Sequence, residues 1–155
     1  MLRIKCCLVI SLAILTGCSS QQKPAQNSPP PPNDLSQLQG EWLMISGVAD
    51  GFALPDGMAR NFKRVCRSNE LTVTNGAQLI MKATITLDQT KIPKTIDYDV
   101  IDGPTKGKKH LGIYELNGDT LKSCFAAPDA PRPTDFSSTS GDRQTFSIWK
   151  RAKQE

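Results

Sequence analysis

Few side chains in this sequence have both the type and the spacing that catalysis needs. The chain has one histidine, His110, at the end of the basic run "KGKKH". Nucleophilic catalysis needs a base held beside a serine or cysteine, and no Gly-x-Ser-x-Gly turn presents one. His110 is therefore expected to be a solvated residue at a strand end. Tetrahedral zinc sites gather several Cys and His ligands, which one histidine and the well-separated Cys66 and Cys124 do not supply. "DYDVIDG" brings Asp97, Asp99 and Asp102 together, but the distal glutamate of a calcium loop is missing. "GPTKGKK" has the residue types of a phosphate loop without the Gly-x-x-x-x-Gly-Lys-Ser/Thr spacing. These residues predict no catalytic group, no metal and no cofactor.

One cluster stands apart. "CFAAPDAPRPTDFSS" places Arg132, Asp135 and Phe136 in a long loop, and long loops in compact domains often serve recognition. The simpler expectation is a loop folded over one end of the domain, with Phe136 as its plug. The charge balance is modest, with 19 Lys and Arg against 15 Asp and Glu. Two of those cations, Arg3 and Lys5, stand at the extreme N-terminus. No basic stripe of the kind nucleic-acid binders carry is present.

The N-terminus holds a different kind of chemistry. Arg3 and Lys5 precede an apolar run from Cys6 to Leu15, and Thr16 and Gly17 lead into Cys18. Charged, apolar, then small is the order of a secretory signal peptide. The run is short of the ~20 residues that span a bilayer as a helix. "LTGC" resembles the lipobox of bacterial lipoproteins. That resemblance implies a diacylglycerol on the Cys18 thiol, cleavage before Cys18, and acylation of its new amine. Residues 1–17 would then be a signal peptide, and the acyl chains on Cys18 would hold the protein on a bacterial membrane in the cell envelope, facing the periplasm. Residues 18–37, with "PPPP" near their end, have the composition of a disordered, partly stiff linker.

Residues 38–155 are the length of one domain and read as strands. In "LIMKATITL", Leu79, Met81, Ala83, Ile85 and Leu87 share one face, and Lys82, Thr84 and Thr86 the other. "TIDYDVI" alternates in the same way, with Ile96, Tyr98 and Val100 on its apolar face. Such alternation marks half-buried antiparallel strands. Asn75-Gly76 and Asn117-Gly118 are hairpin signals, and Ser68-Asn69 suggests a third turn. Strands are expected at 41–48, 62–67, 70–75, 78–88, 94–101, 108–117, 119–126 and 143–151. A short helical turn capped by Asp56 is expected in "PDGMARNF". Eight neighbouring antiparallel strands predict an all-β fold, an up-and-down β-barrel, with a two-sheet sandwich as the alternative.

"GEW" at Gly40 to Trp42 matches the Gly-x-Trp that opens the first strand of lipocalins. That resemblance implies that Trp42 closes the barrel, with Lys150 or Arg151 packed over its ring. "LQGEWLMIS", "GPTKGKKHLGIYELNGDTLKSCFA" and "RPTDFSS" together resemble a small lipocalin-like domain abundant in planctomycete bacteria, which has no agreed activity. Cys66 departs from that pattern. A disulfide between Cys66 and Cys124 stays open, because bridging needs Cα atoms within ~7 Å.

The expected function is binding without catalysis. A lipocalin-like barrel would hold a small apolar ligand against Leu71, Val73, Met81, Ala83, Ile85, Ile96, Tyr98, Val100, Leu121 and Phe125. The alternative is an envelope protein-interaction or structural module in which the same residues fill the barrel. The expected partners are the membrane, through Cys18, and either that ligand or an envelope protein.

Overall fold

The computed structural model describes residues 33–153. The apolar run, Cys18 and the tetraproline therefore lie outside the described residues. The elements follow in the order α1 (Asp34–Gln37), β1 (Gly40–Ala49), β2 (Phe52–Ala53), α2 (Asp56–Ala59), β3 (Phe62–Arg67), β4 (Glu70–Asn75), β5 (Gln78–Asp88), β6 (Lys94–Asp102), β7 (Lys109–Asn117), β8 (Thr120–Ala126) and β9 (Gln144–Arg151). Strands β1 and β3 to β9 pair antiparallel with their sequence neighbours, and β9 returns to pair with β1. The result is a closed eight-stranded up-and-down barrel, and the sandwich alternative falls away. β2 is an extra two-residue strand folded back on the end of β1.

Period-two alternation produces this wall. Leu71 and Val73, Ala83 and Ile85, and Ile96, Tyr98 and Val100 are buried on the inner face. The outer face carries cross-strand ion pairs, among them Lys63–Glu41 at 2.8 Å, Lys82–Glu70 at 3.1 Å and Lys122–Glu115 at 3.1 Å. Exposed pairs of this kind contribute only ~0–1 kcal/mol each. They favour the correct register more than they add stability.

The hairpins differ from expectation in a small but physical way. Two residues link β3 to β4, β4 to β5 and β7 to β8: Ser68-Asn69, Gly76-Ala77 and Gly118-Asp119. In each, the first linking residue takes a positive φ: Ser68 54°, Gly76 55° and Gly118 55°. This is the pattern of a type II′ turn, with glycine favoured in first place. The asparagines 75 and 117 thus end strands rather than occupy the turns.

A second correction concerns β5. Leu79, expected inside, is partly exposed, and Ile80 packs against the core instead. The β4–β5 register jumps between Val73↔Met81 and Thr74↔Leu79. One extra residue at that bulge reverses the alternation beyond it. The helical turn does form, as α2, but its N-cap is Pro55 with no side-chain capping bond, so Asp56 is inside the helix.

One barrel end is sealed. Residues 34–37, read as linker, form α1, capped by Asn33, whose side chain accepts from the Leu35 amide at 2.9 Å. Asp34 is buried and accepts from Tyr114 Oη and from Lys94 Nζ, both at 2.7 Å. Trp42 is fully buried, and its Nε1 donates to the Leu38 carbonyl at 3.0 Å. Arg151 lies 4.2 Å over the Trp42 ring. Its guanidinium donates to the carbonyls of Gln39 (2.8 Å) and Gln37 (2.7 Å) and to Asp119 Oδ1 (2.8 Å). Lys150, the other cation named for this place, is exposed.

The cation–ring contact contributes ~0.5–2 kcal/mol, and hydrogen bonds from a charged donor ~1.5–3 kcal/mol. The guanidinium is partly exposed, which weakens both. Arg151→Ala is expected to cost about 2–3 kcal/mol in urea unfolding, while Lys150→Ala stays within ~0.5 kcal/mol. Equal losses for the two variants would show that the stack does not hold the seam.

Candidate functional site

The other barrel end is not filled. Between the inner wall and Ala127, Pro128 and Arg143 of the β8–β9 loop lies a cavity of about 350 Å³. Met44, Val73, Met81, Phe125 and Trp149 form its apolar walls, and Arg64 and Tyr98 stand at its floor. Phe62, Ile80, His110, Arg143 and Thr145 line it nearer the mouth. Three larger depressions, of about 640, 670 and 420 Å³, are surface grooves outside the barrel interior. The first of them is bordered by the ion-paired Arg151 and Asp119 at the sealed end.

Small residues create the space. Gly112 on β7 faces inward, opposite Phe125 on β8. A methyl group there would meet the Phe125 ring at 2.4 Å. With that position bare, Phe125 lies down and stacks on Tyr98, with centroids 4.2 Å apart. Ser123 and Ser147 face each other across β8 and β9, their hydroxyls 3.1 Å apart, and Trp149 Nε1 donates to Ser147 Oγ at 2.9 Å. Serines here leave room where larger side chains would fill the section.

Arg64 is the unusual member of this lining. It is only 1 % exposed, yet among the described residues no carboxylate pairs with it. Its Nη2 donates to Tyr98 Oη at 3.0 Å and lies 3.7 Å from Cys66 Sγ. Its Nε is buried without any partner. The guanidinium also sits 5.6 Å from the Trp149 ring. An arginine stays protonated in a protein, so the barrel encloses a positive charge met only by neutral groups. Burial pushes the Tyr98 hydroxyl up to about 12, with Arg64 opposing part of that rise. Tyr98 is therefore a neutral phenol at pH 7. It accepts from Arg64 and keeps its own proton to donate.

The expected ligand-lining residues divide into two groups. Val73, Met81, Tyr98 and Phe125 line the cavity, while Leu71, Ala83, Ile85, Ile96, Val100 and Leu121 are packed in the core. His110 is half-buried rather than solvated. It lines the cavity, burial holds its pKa down, and its Nε2 is 3.1 Å from Thr105 Oγ1. Phe136 does not plug the barrel. It packs against Phe146 on the outer wall, at 6.4 Å between centroids, and Arg132 clasps the loop there through Asp97 and the Gly112 carbonyl.

The remaining candidates are engaged elsewhere. Asp99 pairs with Lys109 and Asp102 accepts from the Gly103 amide. Among the described residues, no group of three or more Cys, His, Asp or Glu is arranged to hold a metal ion. Cys66 and Cys124 are free and buried. Cys66 faces inward beside Arg64, while Cys124 faces outward, with its thiol donating to the Ser137 carbonyl at 3.1 Å. They lie on opposite sides of the wall. Sequence reasoning missed Arg64, although "FKRVCR" carried the signal: Phe62, Arg64 and Cys66 share one face of β3.

Because Tyr98 ionises higher when folded than its ordinary value of ~10, the folded state keeps a proton that the unfolded chain gives up. That contribution is intact below pH ~10 and is lost as pH rises towards about 12. Stability against urea is therefore expected to fall between pH ~10 and about 12, and Tyr98→Phe should lessen the decline, leaving the part due to the likewise raised Tyr114. An unchanged slope in the variant would count against the buried phenol. No protein-family model matches the chain, and no curated protein or solved structure is significantly similar to it.

Proposed function

We propose that this protein is a membrane-anchored, lipocalin-like module that binds a small, mainly apolar ligand in the open end of its barrel, without catalysing a reaction. The interior cavity carries this reading. An eight-stranded barrel has just enough room for its own side chains or for one small ligand, and about 350 Å³ here is left unfilled. That volume is at the lower end of the ~300–1,000 Å³ typical of small-molecule sites. A purely structural barrel would close over this space with larger residues than Gly112, Ser123 and Ser147. The anchoring half rests on "LTGC" and its resemblance to a lipobox. Acyl chains on Cys18 would meet the need for more than one chain in stable attachment.

Two measurements test the two halves. The neutral fluorophore N-phenyl-1-naphthylamine, titrated into the purified full chain, is expected to give a saturable, blue-shifted signal with quenching of tryptophan emission. Val73→Trp, which fills the cavity, should weaken that binding at least about tenfold, a loss of ~1.4 kcal/mol. A folded protein that gives no saturable signal would remove the ligand reading. Labelled palmitate should be incorporated into the chain in a bacterial host and lost in Cys18→Ser; equal labelling of both would remove the anchor.

A further inference from the structure

The cavity is apolar along its walls and cationic at its floor. Arg64 offers Nη1, which makes no hydrogen bond among the described residues, and Tyr98 offers the hydroxyl proton that Arg64 does not use. No Asp or Glu lines the space. Arg143 stands at the mouth, and its guanidinium makes no ion pair among the described residues. A cation buried without a counter-charge is costly, and replacing such a group with an apolar residue usually does no harm to stability. The fold therefore gains nothing from Arg64 as packing alone. A bound anion would supply the missing partner.

The donors also limit which anion fits. One fixed positive charge matches a single negative charge. Two convergent donors match the two oxygens of a carboxylate, and charge-assisted bonds of this kind are the strong ones. A phosphate brings a third oxygen and additional charge that nothing on this floor would meet. Above the floor, the walls are mainly carbon and sulfur with the mutually bonded serines, and His110, Thr145 and Arg143 add polar groups nearer the mouth. At ~30 Å³ per water-sized group, a cavity of about 350 Å³ takes a ligand of on the order of ten heavy atoms.

We propose that the ligand is a monocarboxylate amphiphile of medium chain length, its carboxylate on Arg64 and Tyr98 and its tail directed along the walls to the mouth. This deepens the binding reading above and rests on it.

Decanoate and decanol separate the two ideas, since they share a chain and differ in the head. In a merely apolar cavity the neutral alcohol binds more tightly, because the carboxylate must leave water. Measured by displacement of the neutral fluorophore from the full chain, decanoate is expected to bind at least about tenfold tighter than decanol. In Arg64→Met that ratio should collapse to about one or invert. Decanol equal to or tighter than decanoate in the unmodified chain overturns this inference and leaves the cavity reading standing. Failure of both amphiphiles also overturns it; failure of the fluorophore as well takes the cavity reading with it. Should Arg64→Met not fold, NMR of carboxyl-labelled decanoate on the unmodified chain decides. A bound carboxyl that titrates below the free acid supports the pairing, and one that titrates at or above it overturns the pairing.

Discussion

The stack of Arg151 on Trp42 is the contact on which the barrel's closure turns. A sheet becomes a barrel only if its first and last strands find each other in one register. Here the pair Trp42↔Arg151 begins that register. The same guanidinium reaches the carbonyls of Gln37 and Gln39, so α1 is held across the end by the residue that marks the seam. Backbone groups that a helix end leaves unpaired are met in the process. One side chain thus ties the start of the domain, its first strand and its last strand.

With one end sealed by aromatic and aliphatic packing, the barrel is not uniform along its axis. Near α1 the section is filled by Trp42, Leu71, Ile96 and Leu121, all fully buried. Towards the mouth, glycine and serines replace bulk. Arg64 sits at the change of section, between packed core and empty space. At that level Tyr98, Cys66 and the Trp149 ring surround the charge with neutral but polarisable partners. The reading of the barrel as a binding module follows from this gradient more than from the fold itself, since one fold serves many functions.

Much of this was legible in the sequence. The eight expected strands fall within a residue or so of the observed ones, because alternation and two-residue turns are local signals. What alternation does not encode is where it breaks. The bulge at Ile80 reverses the face of Leu79 through its register with β4, which alternation within β5 alone does not reveal. α1 is too short to show a helical period, and it forms because Asp34 meets Tyr114 and Lys94 from β7 and β6. Phe136 read as a plug because composition names a loop without saying which side of the wall it crosses; the clasp of Arg132 on Asp97 decides that. Arg64 was visible on the apolar face of β3. A lone charge in such a pattern reads as an error of register until the empty space beside it is seen.

The number of strands has a consequence of its own. Eight is even, so a chain that runs up and down must leave a barrel at the end where it arrived. Asn33 and Ala152 accordingly both lie at the sealed end, beside Gln89 and Glu41. Among the described residues, the rim of the mouth is made of internal loops. Both ends of the described chain therefore meet at the seal. Two of the rim loops are in turn bonded to each other, since Asp50 accepts from the Gly141 and Arg143 amides, so the rim is braced independently of the seal.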